Sequence, residues 1–358
     1  MAGLLYAFDA SAEISCTVKG SVGDDTEVSK LVICRYDEDP KDATTILIIS
    51  DGKFKCKIED KEIYKYKIID MGEVLDKGFT SRSCDFFVED GAMIDINING
   101  DDVSVSSTGT HQKDCDSMML EALKQFESRM AALENLPDSI QDIEMSKLDN
   151  DFTKWQMEYY ANNPSIDFLF DLNKRLSSFL FIDKEIKPML DIYQSAYQSK
   201  VYSNHSIHSK IGELSSSGLQ MIGSVYHDYQ AFDVNGNIVN AYDFIEKDKP
   251  TVIVVWATWC SPCRRDALEM IPTYERYSPK GVNFLGLAHE FKSTDKLQEV
   301  IEKDKHPWPT ILDLDDRFDI FRQHGTASNG IFLIDGEGKI VTAAYDFKEI
   351  QNELDKLL

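Results

Sequence analysis

The sequence lacks long apolar runs and has few basic residues for its length. No stretch approaches the roughly 18 consecutive apolar residues of a membrane-spanning helix, so none is expected. The 358 residues include 38 Lys and Arg against 62 Asp and Glu, which gives a net charge of -24. Because phosphates and anionic lipids are bound by clustered basic side chains, this balance argues against nucleic acids and anionic membranes as partners.

The cysteines also lack the spacing of a metal site. There are seven, an odd number, so at least one cannot be paired within the chain. Five are spread through the first third and are predicted to be small buried apolar residues; these are Cys16, Cys34, Cys56, Cys84 and Cys115. The other two form a single CxxC motif, and no second CxxC or His pair lies at the spacing of a zinc site. We therefore expect no metal and no other cofactor.

The patterning changes twice along the chain and predicts three regions of structure. Residues 13–110 contain short segments with a period of two, separated by turn residues, which predicts an all-β domain of the sandwich or barrel type. Residues 111–214 repeat apolar side chains every three or four positions, which predicts a helical region. Residues 1–12 end in Ala-Ser-Ala and are either a shortened export signal or an ordinary frayed terminus.

Residues 215–358 begin with a Ser-Ser-Ser-Gly linker and then alternate strand-like and helix-like segments. Asn235-Gly236 is a strong hairpin signal. The β-branched run TVIVV at residues 251–255 is typical of a central strand buried on both faces. An α/β domain with a covered sheet is therefore predicted for this region.

The motif WATWCSPCRRD stands where this buried strand gives way to a helix. At a helix N-terminus, unpaired backbone N–H groups and the helix dipole stabilise an anion, so the Cys260 thiolate should form readily. Pro262 is tolerated in the first turn, and Cys263 is close enough to Cys260 for a disulfide. This arrangement predicts dithiol exchange with a substrate disulfide. Arg264 and Arg265 could either add positive potential near the thiolate or face solvent.

With these residues, the C-terminal region resembles the TlpA/ResA-like thiol-disulfide oxidoreductases of the thioredoxin-like fold. The matching segments are Ile222-Gly223-Ser224, Phe232, Asn235-Gly236, VVWATWCSPCRRD, Trp308-Pro309-Thr310 and GIFLIDGEGKIV. The resemblance covers about the last 140 residues, and the preceding β and helical regions look like an accessory portion of envelope proteins in this family. It implies that Cys260 is the exposed nucleophile and that Cys263 is the buried resolving thiol.

The sequence departs from this family in three places. Val254 occupies the position of the buried Asp of thioredoxins proper, and Leu268 replaces a helix proline. ResA-like members place an acid three residues after the second Cys, which is Asp266 here. Asp266 is therefore either a proton acceptor for Cys263, on the same helix face, or a surface acid. Asn329 stands where the family has a cis-proline facing the cysteines, and either a trans peptide or a differently registered loop is expected there.

The resulting expectation is an enzyme that reduces protein disulfides and depends on an upstream dithiol reductant. Trp259, Pro262 and Asn329 are expected to support its site. The resemblance implies a location in the cell envelope or periplasm, with the cytoplasm as the alternative. A binding protein with a vestigial site remains a second hypothesis. A peroxiredoxin-like peroxidase is a third, weakened because Ile253 and Ala257 stand at the Pro and Thr positions of its Pro-x-x-x-Thr/Ser-x-x-Cys motif.

Overall fold

The computed structural model describes residues 14–43, 45–133 and 136–358. The chain divides into two compact units. The N-terminal unit contains the described residues up to Lys174 together with Ile192–His208, and the C-terminal unit contains Arg175–Asp191 and Ser209–Leu358. The segment interpreted as a signal remnant, residues 1–12, lies outside the described residues, and the three-region boundaries drawn from the sequence stay predictions.

The first part of the N-terminal unit is built mainly from strands. They are β1 (Ile14–Val22), β2 (Leu31–Arg35), β3 (Thr45–Leu47), β4 (Lys53–Asp60), β5 (Tyr64–Asp70), β6 (Ser83–Val88), β7 (Met93–Asn99) and β8 (Asp102–Ser107). They form two four-stranded sheets, with orders β4-β1-β7-β8 and β3-β2-β5-β6. Alternate side chains such as Val18, Phe86 and Ile94 share one apolar core.

Two features of this region, a helix and a parallel strand pair, depart from the all-β sandwich or barrel expected from the sequence. A short helix, α1 (Met71–Lys77), follows β5; the Asp70 side chain caps its start, and Gly78, with φ 81°, ends it. Strands β1 and β7 pair in parallel, whereas the other pairs of their sheet are antiparallel. The period-two pattern predicts strands but carries no information on strand direction, so the mixed sheet could not be deduced from it.

Helices follow β8, as the apolar period predicted. They are α2 (Thr110–Leu133), α3 (Asp138–Asn162), α4 (Ile166–Ser177), α5 (Ile186–Ile192) and α6 (Ile207–Ser215). Phe126, Leu133 and Leu148 pack between α2 and α3 with Phe152 and Trp155 against them. Among the described residues, no helix is both long enough and apolar enough to cross a membrane.

The C-terminal unit contains a seven-stranded sheet of order β10-β9-β13-β12-β11-β14-β15. Its strands are β9 (Gln230–Asp233), β10 (Ile238–Asn240), β11 (Thr251–Trp256), β12 (Asn283–Glu290), β13 (Thr310–Leu314), β14 (Gly330–Ile334) and β15 (Ile340–Ala344). Its later helices are α7 (Ser261–Tyr277), α8 (Asp295–Asp304), α9 (Ile320–Gln323) and α10 (Phe347–Leu357). This is the thioredoxin-like α/β architecture predicted for this region.

Strand β11 positions the cysteine motif. Every residue of β11 is buried, and its side chains alternate between two cores: Ile253 and Val255 pack on one face, Val252 and Val254 on the other. The strand pairs in parallel with β12 and antiparallel with β14. Helix α7 covers one face with Ala267 and its neighbours. The loop between β11 and α7 is thus fixed at both ends, and it carries the first cysteine.

Candidate active site

Cys260 and Cys263 form a disulfide at the start of α7, with their Cα atoms 5.3 Å apart. Cys260 is the N-cap residue, with extended backbone dihedrals, and its Sγ accepts a hydrogen bond from the Cys263 N–H at 3.3 Å. Pro262 lies in the first turn, where its missing N–H has no intrahelical partner to lose. Cys260 is half-buried, whereas Cys263 is only 2% exposed. The first sulfur is therefore the more accessible of the two.

A buried carboxylate holds the loop that precedes Cys260. Glu290, the last residue of β12, is 3% exposed. It accepts hydrogen bonds from the Thr258 backbone N–H at 2.7 Å and from the Thr258 hydroxyl at 2.6 Å. Neither Thr258 nor Glu290 was predicted from the sequence as a site residue. The available signal was a charged residue at the end of the apolar run that forms β12, a position where polar side chains reach the edge of the sheet.

Trp259 joins the same loop to the end of β12. Its Nε1–H donates to the His289 carbonyl oxygen at 3.0 Å, which fixes the indole beside the first cysteine. The Trp259 ring is 46% exposed and lies 6.0 Å from the equally exposed Phe291 ring, measured between centroids. The two aromatic rings therefore leave apolar surface open next to the more accessible sulfur.

Asp266 lies one turn of α7 beyond Cys263. It lines a small cleft together with Cys263, Asn329 and Tyr345, so the fold brings three of the residues singled out from the sequence to one place. Asp266 is half-buried, and burial raises the pKa of its carboxyl above the ordinary value. Arg265 opposes this rise. A carboxylate with a raised pKa is a better proton acceptor than an exposed Asp.

The loop before β14, residues 326–329, forms another side of the site. Ser328 Oγ lies 3.6 Å from Cys263 Sγ. The Thr326 hydroxyl donates to the Asn329 carbonyl oxygen, and the Asn329 N–H donates back to the hydroxyl at 3.4 Å. The peptide at Asn329 is trans. Asn329 was predicted from the sequence as a site residue but Ser328 was not, because a lone serine belongs to no motif.

The two arginines of the motif behave differently. Arg264 forms a bidentate ion pair with Asp304, with N–O distances of 2.7 to 2.9 Å. Asp304 is the last residue of α8, so this guanidinium ties two helices together. Its charge is thus largely matched by a carboxylate. Arg265 is exposed, and its positive charge opposes the rise in the pKa of Asp266 that burial causes.

The other five cysteines are not paired with one another. Cys16 and Cys34 are buried, and the remaining three are half-buried. Burial raises the pKa of Cys16 and of Cys84 to about 12. Thiols with such values carry almost no thiolate near neutral pH, which fits a structural role. In the part of the chain that the structure describes, no cluster of His, Cys, Asp and Glu could hold a metal ion.

Comparisons with known proteins agree with this site. The AhpC/TSA family model matches residues 222–343. A thiol-disulfide oxidoreductase ResA from Bacillus cereus is 26% identical over 132 residues, which is 36% of this chain and 73% of the relative. The Bacillus subtilis ResA is 27% identical over 123 residues, covering 33% of this chain and 64% of the relative.

The C-terminal unit is similar to the TlpA/ResA-like thiol-disulfide oxidoreductases of the thioredoxin superfamily. Among solved structures, the thioredoxin domain of a thiol-disulfide oxidoreductase from Bacteroides vulgatus is 29% identical. That match covers 38% of this chain and 96% of the other, with a TM-score of 0.34. These sequence and structure matches cover between 33% and 38% of the chain. The residues matched by the family model, 222–343, lie in this unit and do not extend to the β and helical regions.

Proposed function

We propose that the protein reduces disulfide bonds in protein substrates by dithiol exchange, with Cys260 as nucleophile and Cys263 as resolving thiol. The difference in exposure between the two sulfurs is the observation that carries this assignment. A substrate disulfide can approach Cys260, whereas Cys263 is covered and can react only with a partner already attached to Cys260. The hydrogen bond from the Cys263 N–H to Cys260 Sγ, together with the helix N-terminus, stabilises a thiolate at the first position.

The reaction has two exchange steps. The Cys260 thiolate attacks one substrate sulfur, which forms a mixed disulfide and releases the other substrate sulfur as a thiolate. The Cys263 thiol then loses its proton and attacks Cys260, which closes the disulfide and releases the second substrate thiolate. The dithiol loses two electrons and the substrate disulfide gains them. An upstream dithiol reductant must then restore the enzyme.

Asp266 is proposed as the proton acceptor for Cys263 in the second step. It shares a cleft with that residue, and burial raises the pKa of its carboxyl. Trp259 and Pro262 support the first cysteine, and Asn329 lies beside the second. The cell envelope or periplasm is proposed as the location on the family resemblance, with the cytoplasm as the alternative. Subcellular fractionation with an antibody to the protein tests the location independently of the chemistry.

Insulin reduction in the presence of dithiothreitol tests the activity. The wild type should precipitate the insulin B chain, Cys260→Ala should be inactive, and Cys263→Ala should accumulate mixed disulfides at Cys260. Cys56→Ala, which removes one of the half-buried thiols, serves as the matched control and should retain activity. The proposal fails if the wild type reduces no disulfide substrate and its dithiol shows no reversible oxidation. That outcome would favour the binding protein with a vestigial site.

The AhpC/TSA match favours one other candidate, a peroxidase. Against it, Ile253 and Ala257 replace the Pro and the hydroxyl residue of the peroxidase motif, and both are fully buried apolar side chains. No hydroxyl precedes Cys260 at that spacing to hold a peroxide. Consumption of hydrogen peroxide at a rate comparable to disulfide reduction would reverse this preference.

A further inference from the structure

The resolving cysteine has a polar neighbour that no sequence motif identifies. Ser328 Oγ is 3.6 Å from Cys263 Sγ, within the range of hydrogen bonds to sulfur. A disulfide sulfur carries no proton, so in the oxidised protein only the hydroxyl can donate in this pair. Cys263 is 2% exposed and Ser328 is half-buried, which limits competition from bulk water. On reduction, the same hydroxyl faces the sulfur that must become a thiolate.

We propose that Ser328 is a catalytic residue of the dithiol site, whose hydroxyl donates a hydrogen bond to the Cys263 thiolate as it forms and attacks the mixed disulfide. This inference rests on the proposed function. The hydroxyl transfers no proton: the proton of Cys263 goes to Asp266, and the Ser328 O–H stabilises the negative charge left on sulfur. Hydrogen bonds to charged acceptors are about twice as strong as those between neutral groups, so the interaction favours the thiolate over the thiol.

The backbone around Ser328 is held in place by several hydrogen bonds. Thr326 and Asn329 close a short turn around it through the Thr326 hydroxyl. The carbonyl oxygen of Ala327 accepts a hydrogen bond from His289 Nδ1 at 2.7 Å. The next residue, Gly330, is already in β14 and pairs with Val255 of β11. The serine thus lies on a fixed loop, and little conformational entropy is lost when its hydroxyl contacts the sulfur.

Ser328 and Asp266 are expected to contribute in different ways to the formation of the Cys263 thiolate. Asp266 accepts the proton, so its contribution depends on its own ionisation and falls in acid. The Ser328 hydroxyl does not titrate in the working range, so its contribution is constant where Cys263 is mostly a thiol and falls only where Cys263 is already ionised. The pH profile therefore separates the two roles.

The test uses the full-length protein and measures the two exchange steps separately. Ser328→Ala should slow resolution of a preformed mixed disulfide at Cys260 about tenfold, as expected for loss of one hydrogen bond to a charged group. In a Cys260→Ala background, it should also move the alkylation of Cys263, followed by peptide mass spectrometry, to higher pH. Ser328→Thr keeps the hydroxyl and should restore both values. Exposed Ser293→Ala in the same unit should change neither.

The first exchange step, the attack of Cys260 on the substrate, distinguishes a role of Ser328 at Cys263 from a general structural effect of the substitution. In a Cys263→Ala background, attack of Cys260 on a disulfide substrate should be unchanged by Ser328→Ala. Equal slowing of both steps, or wild-type resolution in Ser328→Ala, overturns the inference. Both outcomes differ from failure of the proposed function, in which the wild type itself reduces no disulfide.

Discussion

The carboxylate of Glu290 stabilises the loop before Cys260 through two hydrogen bonds. It is 3% exposed and accepts both the N–H and the hydroxyl of Thr258, at 2.7 and 2.6 Å. Glu290→Ala removes both acceptors and leaves two buried donors without them. An unsatisfied buried polar group costs about 1–3 kcal/mol, and removing the charge recovers part of its desolvation cost. We expect a net loss of about 3 kcal/mol in the free energy of unfolding of the thioredoxin-like unit.

Urea unfolding followed by tryptophan fluorescence measures this loss. Trp256, Trp259 and Trp308 are three of the four tryptophans of the chain, so the signal reports mainly on the thioredoxin-like unit. Exposed Glu299→Ala is the matched control and should change stability by less than about 0.5 kcal/mol. The reasoning is refuted if Glu290→Ala behaves like the control. A double-mutant cycle with Thr258→Val should give a coupling energy above about 1 kcal/mol if the two residues stabilise the loop together.

Three further substitutions test other features of the same unit. Asp266→Asn should slow the attack of Cys263 on the mixed disulfide. Because burial raises the pKa of the Asp266 carboxyl, the wild-type rate of this step should begin to fall at a higher pH, on acidification, than it would with an ordinary Asp. Stopped-flow measurement of this step across pH checks both expectations. Buried His324 bonds to Tyr226 at 2.8 Å, and desolvation lowers its pKa to about 4. Between about pH 6.5 and 4 only the unfolded state binds a proton at this residue. The free energy of unfolding should therefore fall by up to about 3 kcal/mol as the pH is lowered through that window, and urea titrations of His324→Gln should show a smaller fall. Gly330 has φ 150°, and an added Cβ would lie 2.9 Å from Phe181 Cζ, so Gly330→Ala should cost about 1–3 kcal/mol by the same method.

The features that were predictable from the sequence depend on neighbours along the chain. The run at residues 251–255 predicts a buried strand because β-branched side chains suit both faces of a covered sheet. Pro262 and the CxxC spacing predict a helix start with two sulfurs within disulfide reach. Asp266 follows Cys263 by three residues and so shares its face of α7. Each of these inferences needs only helix or strand geometry.

The contacts that could not be predicted join residues far apart in the sequence. Thr258 and Glu290 are 32 residues apart, and Cys263 and Ser328 are 65 apart. Their proximity follows from the order of strands in the sheet, since β12 and β14 flank β11 on opposite sides. The parallel pairing of β1 with β7 in the N-terminal unit was missed for the same reason. Local patterning identifies strands but not their neighbours.

His289 connects the two loops that flank the dithiol. Its carbonyl oxygen accepts from the Trp259 indole at 3.0 Å, and its Nδ1–H donates to the Ala327 carbonyl oxygen at 2.7 Å. Its ring stacks on Phe321 with centroids 4.1 Å apart, which fixes the direction of that donor. One residue at the end of β12 therefore bonds to the loop before Cys260 and to the loop beside Cys263. This arrangement fixes the two loops relative to each other through side-chain hydrogen bonds. The geometry of the dithiol site in this chain consequently depends on a residue outside the cysteine motif.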